Sequence, residues 1–303
     1  MMDAQELNRL WQSYQLRVTD EIVRSPEVLF CNGSAIGTLG NFSASTGKAT
    51  SKKTFNVSAI LAAALTNGEV LRYIAEFPDD KRTILYFDTE QSPHHCQRVM
   101  KRALRLAGLP VDRHPENLIF AQLRAITPDL RLELIDNAIA NTSNVGLVII
   151  DGVRDLMFDI NNAIESSRLI GKLMEWTDKY QIHIHTVLHL NKSDDNVRGH
   201  VGTELNNKAE TVLQVCKSTT DSEVTEVSAS CIRSMDFPPF AFIVNEAGLP
   251  EIAADYTFAG KSKVQTFSYS ELTPEQHRQA LEKAFANGAI KGCQNCEDSI
   301  KRA

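Results

Sequence analysis

The segment Gly47-Lys48-Ala49-Thr50-Ser51-Lys52-Lys53-Thr54 keeps three of the four defining residues of the phosphate-binding pattern G-x-x-x-x-G-K-[ST]. Such a loop turns backbone N–H groups toward phosphate oxygens, neutralises them with its lysine and offers a hydroxyl to Mg2+. Gly47 supplies the first glycine, Lys53 the phosphate lysine and Thr54 the magnesium hydroxyl. Thr50, Ser51, Lys52 and Phe55 complete the predicted cradle. Lys52 stands where the second glycine is expected, so its side chain either clashes with the phosphates or swings out and donates to them. The competing register, with Gly47-Lys48 as the G-K pair, puts Phe42 at the first glycine and Ala49 at the hydroxyl. It loses both the tight turn and the metal ligand.

Carboxylates follow at the ends of two apolar runs. Val145-Gly146-Leu147-Val148-Ile149-Ile150 ends in Asp151, which beside a phosphate loop holds the Mg2+ shell through water. Turn chemistry alone also puts Asp at strand ends. Leu85-Tyr86-Phe87-Asp88-Thr89-Glu90 ends in two carboxylates, and Glu90 there can orient the water that attacks a γ-phosphate. The same acid also fits the first turn of a helix starting near Pro93. Ile182 to Leu188 leads into His189, a candidate γ-phosphate sensor. His183 and His185 alternate with apolar residues and are expected to point away from the core. Lys192, Arg198 and His200 lie in the polar loop that follows.

These residues need a scaffold that gathers strand ends. The chain supplies alternating strand and helix patterns. Strands are expected at 28–31, from Thr38 to Ser45, at 83–88, 118–121, 145–150 and 182–188. Helices are expected from Lys53, over 93–107 with a basic outer face (Arg98, Lys101, Arg102, Arg105), from Thr127-Pro128 to about Asn141, and over 163–180. Apolar strands in this rhythm imply a parallel sheet covered on both faces. After about residue 210 three consecutive strands are expected to extend it antiparallel. The expected class is α/β: a twisted, mainly parallel sheet with helices on both faces, a late antiparallel extension and a small helical C-terminal segment. The expected organisation is a helical lead-in over 1–26, a domain over 27–250, and a polar linker with the start of a helical module over 251–303. Thr273-Pro274-Glu275-Gln276 opens that last helix, and the chain stops within what reads as a larger module.

The phosphate loop, Asp88-Thr89-Glu90, Asp151, His189-Leu190-Asn191-Lys192 and Arg198-Gly199-His200 occur in that order. Together they resemble RecA-type ATPases, most closely the branch of RepA-like hexameric replicative helicases, cousins of the DnaB type and common on plasmids and mobile elements. The resemblance spans roughly residues 27 to 250. It implies ATP and Mg2+ as cofactors, Glu90 as catalytic glutamate, Asp151 as the second metal-site acid and His189 as sensor. It implies that the Lys192–His200 loop faces single-stranded DNA in a homo-oligomer such as a hexameric ring. It also implies a finger residue that enters a neighbour's site. The nearest match is Arg233 in Cys231-Ile232-Arg233, where the usual lysine partner is replaced by Cys231; Lys217 is an alternative.

Composition narrows the rest. The net charge of −6 argues against a broad basic surface, though not against nucleic acid held by local loops. Neither a membrane-spanning run nor a signal peptide stands out, which points to the cytoplasm. Cys293-Gln294-Asn295-Cys296 lacks the second pair a zinc site needs. The function expected is a nucleic-acid-dependent ATPase. The alternatives are an ATP-dependent DNA-binding switch or loader, and a P-loop enzyme that never meets DNA.

Overall fold

The computed structural model describes residues 3–190, 199–258 and Arg278. Its contacts divide the chain into Met1–Tyr256 and Thr257–Ala303, and every element below lies in the first unit. The expected C-terminal helix and the Cys293–Cys296 pair lie outside the described residues.

The chain opens with α1 (Ala4–Ser13), started by a capping box between Asp3 and Glu6. The expected lead-in helix thus ends well before residue 26. Next come β1 (Glu27–Cys31), β2 (Ser34–Thr38), β3 (Phe42–Gly47), α2 (Lys53–Thr66), β4 (Glu69–Val70) and β5 (Tyr73–Ala75). They are followed by β6 (Thr83–Asp88), α3 (Pro93–Leu106), β7 (Leu118–Gln122), α4 (Pro128–Asn141), β8 (Val145–Asp151), α5 (Ala163–Tyr180) and β9 (His183–His189). The remaining elements are α6 (Gly199–Lys208), β10 (Thr211–Lys217), β11 (Thr225–Ile232), β12 (Phe240–Val244) and β13 (Pro250–Ile252).

Among the described residues the main sheet runs β13-β12-β11-β10-β3-β9-β8-β6-β7. From β10 to β7 all neighbours are parallel, and β11 to β13 continue the sheet antiparallel. This is the expected class. Three assignments change. The strand at 28–31 belongs to a separate antiparallel sheet, β2-β1-β5-β4. The Thr38–Ser45 strand divides at Gly40, whose φ of +84° makes a turn, so Thr38 ends β2 and the loop-bearing strand begins at Phe42. β13 falls where a linker was expected and pairs with β12.

Alternation along the parallel strands builds two cores. Tyr86, Leu147, Ile149 and Leu213 face α2 and α3, with the small sheet packed against the same cluster. Phe87, Val148, Ile150 and Ile184 face α4, α5 and α6. Helix α2 is buried nearly all round, which its run of alanines permits because small side chains let neighbours approach closely. That burial anchors the helix whose N-terminus opens on the loop. Arg102 departs from the expected outer face of α3: its guanidinium lies 3.6 Å over the Phe55 ring and donates to Ser58.

Candidate functional site

The C-terminal ends of the parallel strands form one edge, the side on which open α/β sheets bind ligands. Gly47 is in register with His189, Asp151 with Val187, and Asp88 with Asp151. Because β9 lies between β3 and β8, His189 stands between the loop and Asp151.

The loop is shaped by close approach. A Cβ on Gly47 would lie 2.2 Å from the Val215 carbonyl oxygen, so no larger residue fits. Lys52 has φ +62°, in the left-handed region. That explains the glycine expected here, and a lysine in its place costs about 1–2 kcal/mol. Its Nζ donates to the Glu223 carbonyl at 2.8 Å and lies 3.9 Å from the Glu223 carboxylate. Lys52 therefore neither blocks the cradle nor reaches into it. Lys53 Nζ donates to the carbonyls of Gly47 and Lys48, each at 2.8 Å. Burial lowers its pKa to about 8, against the opposing pull of Glu90 and Asp151. Ser51 Oγ is buried without a hydrogen-bond partner among the described residues. Thr54 is in the first turn of α2, where N–H groups lack intrahelical acceptors. The Phe55 N–H already donates to Lys52 O, and its ring lies beneath the Arg102 guanidinium of α3.

The acidic side is held by the turn after β6. Asp88, fully buried, accepts from the N–H groups of Glu90 and Gln91 and from the Gln91 amide. Thr89 Oγ1 donates across to β8, and a Cβ on Gly152 would lie 2.2 Å from that oxygen. These contacts aim Glu90 at His189, whose Nε2 lies 3.3 Å from its carboxylate. That hydrogen bond, with the charges of His189, Lys53 and Arg154, holds the Glu90 pKa down. The other ring nitrogen, His189 Nδ1, is buried without a partner among the described residues. Asp151 accepts from the Tyr86 hydroxyl at 2.8 Å. Burial, with Asp88 alongside, pushes its pKa up to about 7.

These side chains suit a triphosphate with Mg2+. The loop offers a lysine, an unpaired hydroxyl and a helix N-terminus to an anion. Asp151 is a buried acid that a cation would ionise. Among the described residues no cluster of three or more His, Cys, Asp or Glu could hold a metal alone. Thr54 and, through water, Asp151 would hold Mg2+ beside a bound triphosphate, which needs no such cluster.

Sequence reasoning missed Tyr86, Arg154 and the anchoring role of Asp88. Arg154 borders a cleft of about 430 Å³ with Glu90, His189, Arg124 and Arg131; it follows Asp151 closely but carries no motif. Arg233 is not brought to this chain's own loop. It follows β11 at the opposite edge, where Ile232 pairs with Thr211 and Thr211 with Ser43, and it donates to Lys208 O. Lys217 ends β10 on the loop's side and is exposed. His200 is exposed on the first turn of α6, while Lys192 and Arg198 lie outside the described residues. His183 and His185 are fully buried, the reverse of the expected outward orientation.

A parallel sheet whose strand ends gather a phosphate loop, a buried acid and a glutamate defines a P-loop nucleotide-binding ATPase. A model of the AAA domain family matches residues 35–195, more than half of the chain, and the chain belongs to that family. The matched span includes the loop, Glu90, Asp151 and His189, and stops before β10. No curated protein matches the chain. Among the described residues no helix is long and apolar enough to cross a membrane.

Proposed function

We propose that this ATPase is a nucleic-acid-dependent motor of the RepA-like, DnaB-related helicase branch, working in the cytoplasm as a homo-oligomer, a hexameric ring among its forms. It serves the replication or transfer of a mobile element. The observation that carries this reading is the Glu90–His189 pair beside Lys53 and Asp151. A sensor bonded to the catalytic glutamate lets arrival of a γ-phosphate change what Glu90 faces. Lys53 and Thr54 bind the triphosphate and Glu90 orients the attacking water; Thr54 and, through water, Asp151 would hold Mg2+, which would supply neutralisation of the phosphate charge. In sequence, Lys192, Arg198 and His200 follow the sensor His189, and these are the residues this reading assigns to single-stranded DNA. Arg233, exposed and far from its own loop, suits a finger offered to a neighbour.

A second reading, an ATP-dependent DNA-binding switch or loader, is favoured by Cys231, which leaves Arg233 without the finger lysine. ATPase rates with and without single-stranded DNA, on the parent and on Glu90→Gln, test the proposal. The motor predicts DNA-stimulated turnover by an oligomer, reduced about 100-fold or more in the variant. ATP-dependent DNA binding without strand separation on a forked substrate selects the switch. A monomer with a DNA-indifferent rate points to a P-loop enzyme that does not act on DNA.

A further inference from the structure

The strand that carries the phosphate loop is built of residues that water would ordinarily claim. Ser43, Ser45 and Thr46 of β3 lie beside His183, His185 and Thr186 of β9, and all six are buried. The side-chain hydrogen bonds of Ser43, Ser45, His183 and His185 form a continuous file. His183 Nδ1 lies 3.0 Å from the Thr38 carbonyl oxygen, and His183 Nε2 lies 2.7 Å from Ser43 Oγ. Ser43 Oγ is 2.8 Å from His185 Nδ1, and His185 Nε2 is 2.9 Å from Ser45 Oγ. Beyond the strands, the Asn56 amide donates to Ser45 Oγ at 3.5 Å, and the Tyr73 hydroxyl donates to Asn56 Oδ1 at 2.7 Å.

The chemistry of each group settles where the protons sit. A carbonyl only accepts, so His183 carries its hydrogen on Nδ1. Burial drives the pKa of His183 down to about 4 and that of His185 to about 3, so each ring holds one proton at neutral pH. His183 Nε2 then accepts from the Ser43 hydroxyl, whose oxygen accepts from His185 Nδ1–H. His185 Nε2 in turn accepts from Ser45, Ser45 from Asn56, and Asn56 from Tyr73. Every donor meets one acceptor and all the bonds run in one direction, an arrangement in which neighbouring bonds reinforce each other. Even Gly37 conforms: a Cβ there would come within 2.7 Å of the His183 ring.

The file passes both flanks of the loop. Ser45 precedes Gly47 in β3, and Asn56 follows Lys53 in the first turns of α2. We propose that His185, with Ser45 and Asn56, positions the phosphate loop. Directional bonds hold the strand before the loop and the helix after it at the spacing that lets Lys53 and the loop N–H groups meet a triphosphate. The inference rests on nucleotide binding at this loop and on no property of a motor.

ATP affinity and melting temperature of Ser45→Ala, Tyr73→Phe and Ser43→Ala separate positioning from plain stability. Ser45→Ala breaks the file beside the loop and is expected to weaken ATP binding about tenfold, the equivalent of one net hydrogen bond. Tyr73→Phe, which removes a hydroxyl at the far end, has the same effect in smaller measure. Ser43→Ala leaves both imidazoles short of a partner, so it lowers the melting temperature at least as much, yet changes affinity less than Ser45→Ala. Affinity losses that follow the melting temperatures, with Ser43→Ala the worst, overturn the proposal. Nitrogen NMR of the parent gives a reading that needs no variant: both rings protonated on Nδ1 support it, and Nε2–H on His185 overturns it. A parent that binds no ATP overturns the nucleotide reading and this inference with it.

Discussion

Two pairs of neighbouring strands in the main sheet are buried alike and built oppositely. β6 and β8 are almost wholly apolar until Asp88 and Asp151 at their ends. β3 and β9 carry serines, threonines and histidines throughout. The apolar pair is held by packing, which is strong but indifferent to direction, and it delivers carboxylates to the edge. The polar pair is held by bonds that accept one register only, and it delivers the loop. Charge is handled differently as well. On the apolar side burial raises Asp151, while on the loop side it lowers Lys53; in each case the charged form is the one a nucleotide with its metal would restore.

The contrast breaks most visibly in the apolar pair. Leu147 is fully buried in β8, and Leu147→Ala is expected to cost about 2–5 kcal/mol in denaturant unfolding while the folded fraction keeps near-parental ATP affinity. Lys53→Ala should do the reverse. It removes the charge-assisted bonds that the proposed site would make to phosphate and is expected to lower ATP affinity roughly 100-fold by calorimetry, with stability little reduced, because the lysine is buried at a cost. ATP binding within about threefold of the parent would place the site elsewhere.

A smaller effect concerns pH. Asp151 has a folded pKa of about 7 against an ordinary 3.8. Between those values the folded protein holds a proton that the unfolded chain has lost, so this group's contribution to stability falls as pH rises through the window. In melting curves of the ligand-free protein at pH 5 and pH 7.5, Asp151→Asn should therefore lose less on going to the higher pH than the parent does. Lys53 has the opposite slope, with stability rising from about pH 8 toward 10.5. The smallest effect is expected from Lys52→Gly. Relief of the left-handed strain and the greater freedom of an unfolded glycine nearly cancel, leaving a change under about 1 kcal/mol. ATP affinity should stay near parental, since the Lys52 ammonium faces Glu223; a marked gain or loss in titration would return that side chain to the cradle.

The apolar half was legible because its signal is local. Uninterrupted runs such as Val145–Ile150 are buried wherever they fold, and a carboxylate at their end is visible by spacing alone. The polar half was misread at His183 and His185. Alternation with apolar residues normally means one wet face, and nothing in 182–188 announces that Ser43 and Ser45, some 140 residues away, supply the partners. Arg102 was misread for the same reason, since its cover is Phe55 on another helix. Lys52 was expected to meet the phosphates, by clash or by donation, and turns to Glu223 instead, because the pattern records residue types and not side-chain directions.

By itself the sequence determined which chemistry was on offer: a phosphate loop with its lysine and hydroxyl, three strand-end residues in order, and the alternation that makes a parallel sheet. Only the tertiary structure decided how they meet: β9 inserted between β3 and β8, His189 turned to Glu90, Lys52 turned to Glu223, Arg233 left at the far edge, and a polar strand made burial-worthy by a distant neighbour. The reason is the range of the forces. Backbone propensity and hydrophobic periodicity act within a few residues and can be read along the chain. Hydrogen bonds and charges are satisfied by whatever the fold brings alongside, and that is set by topology.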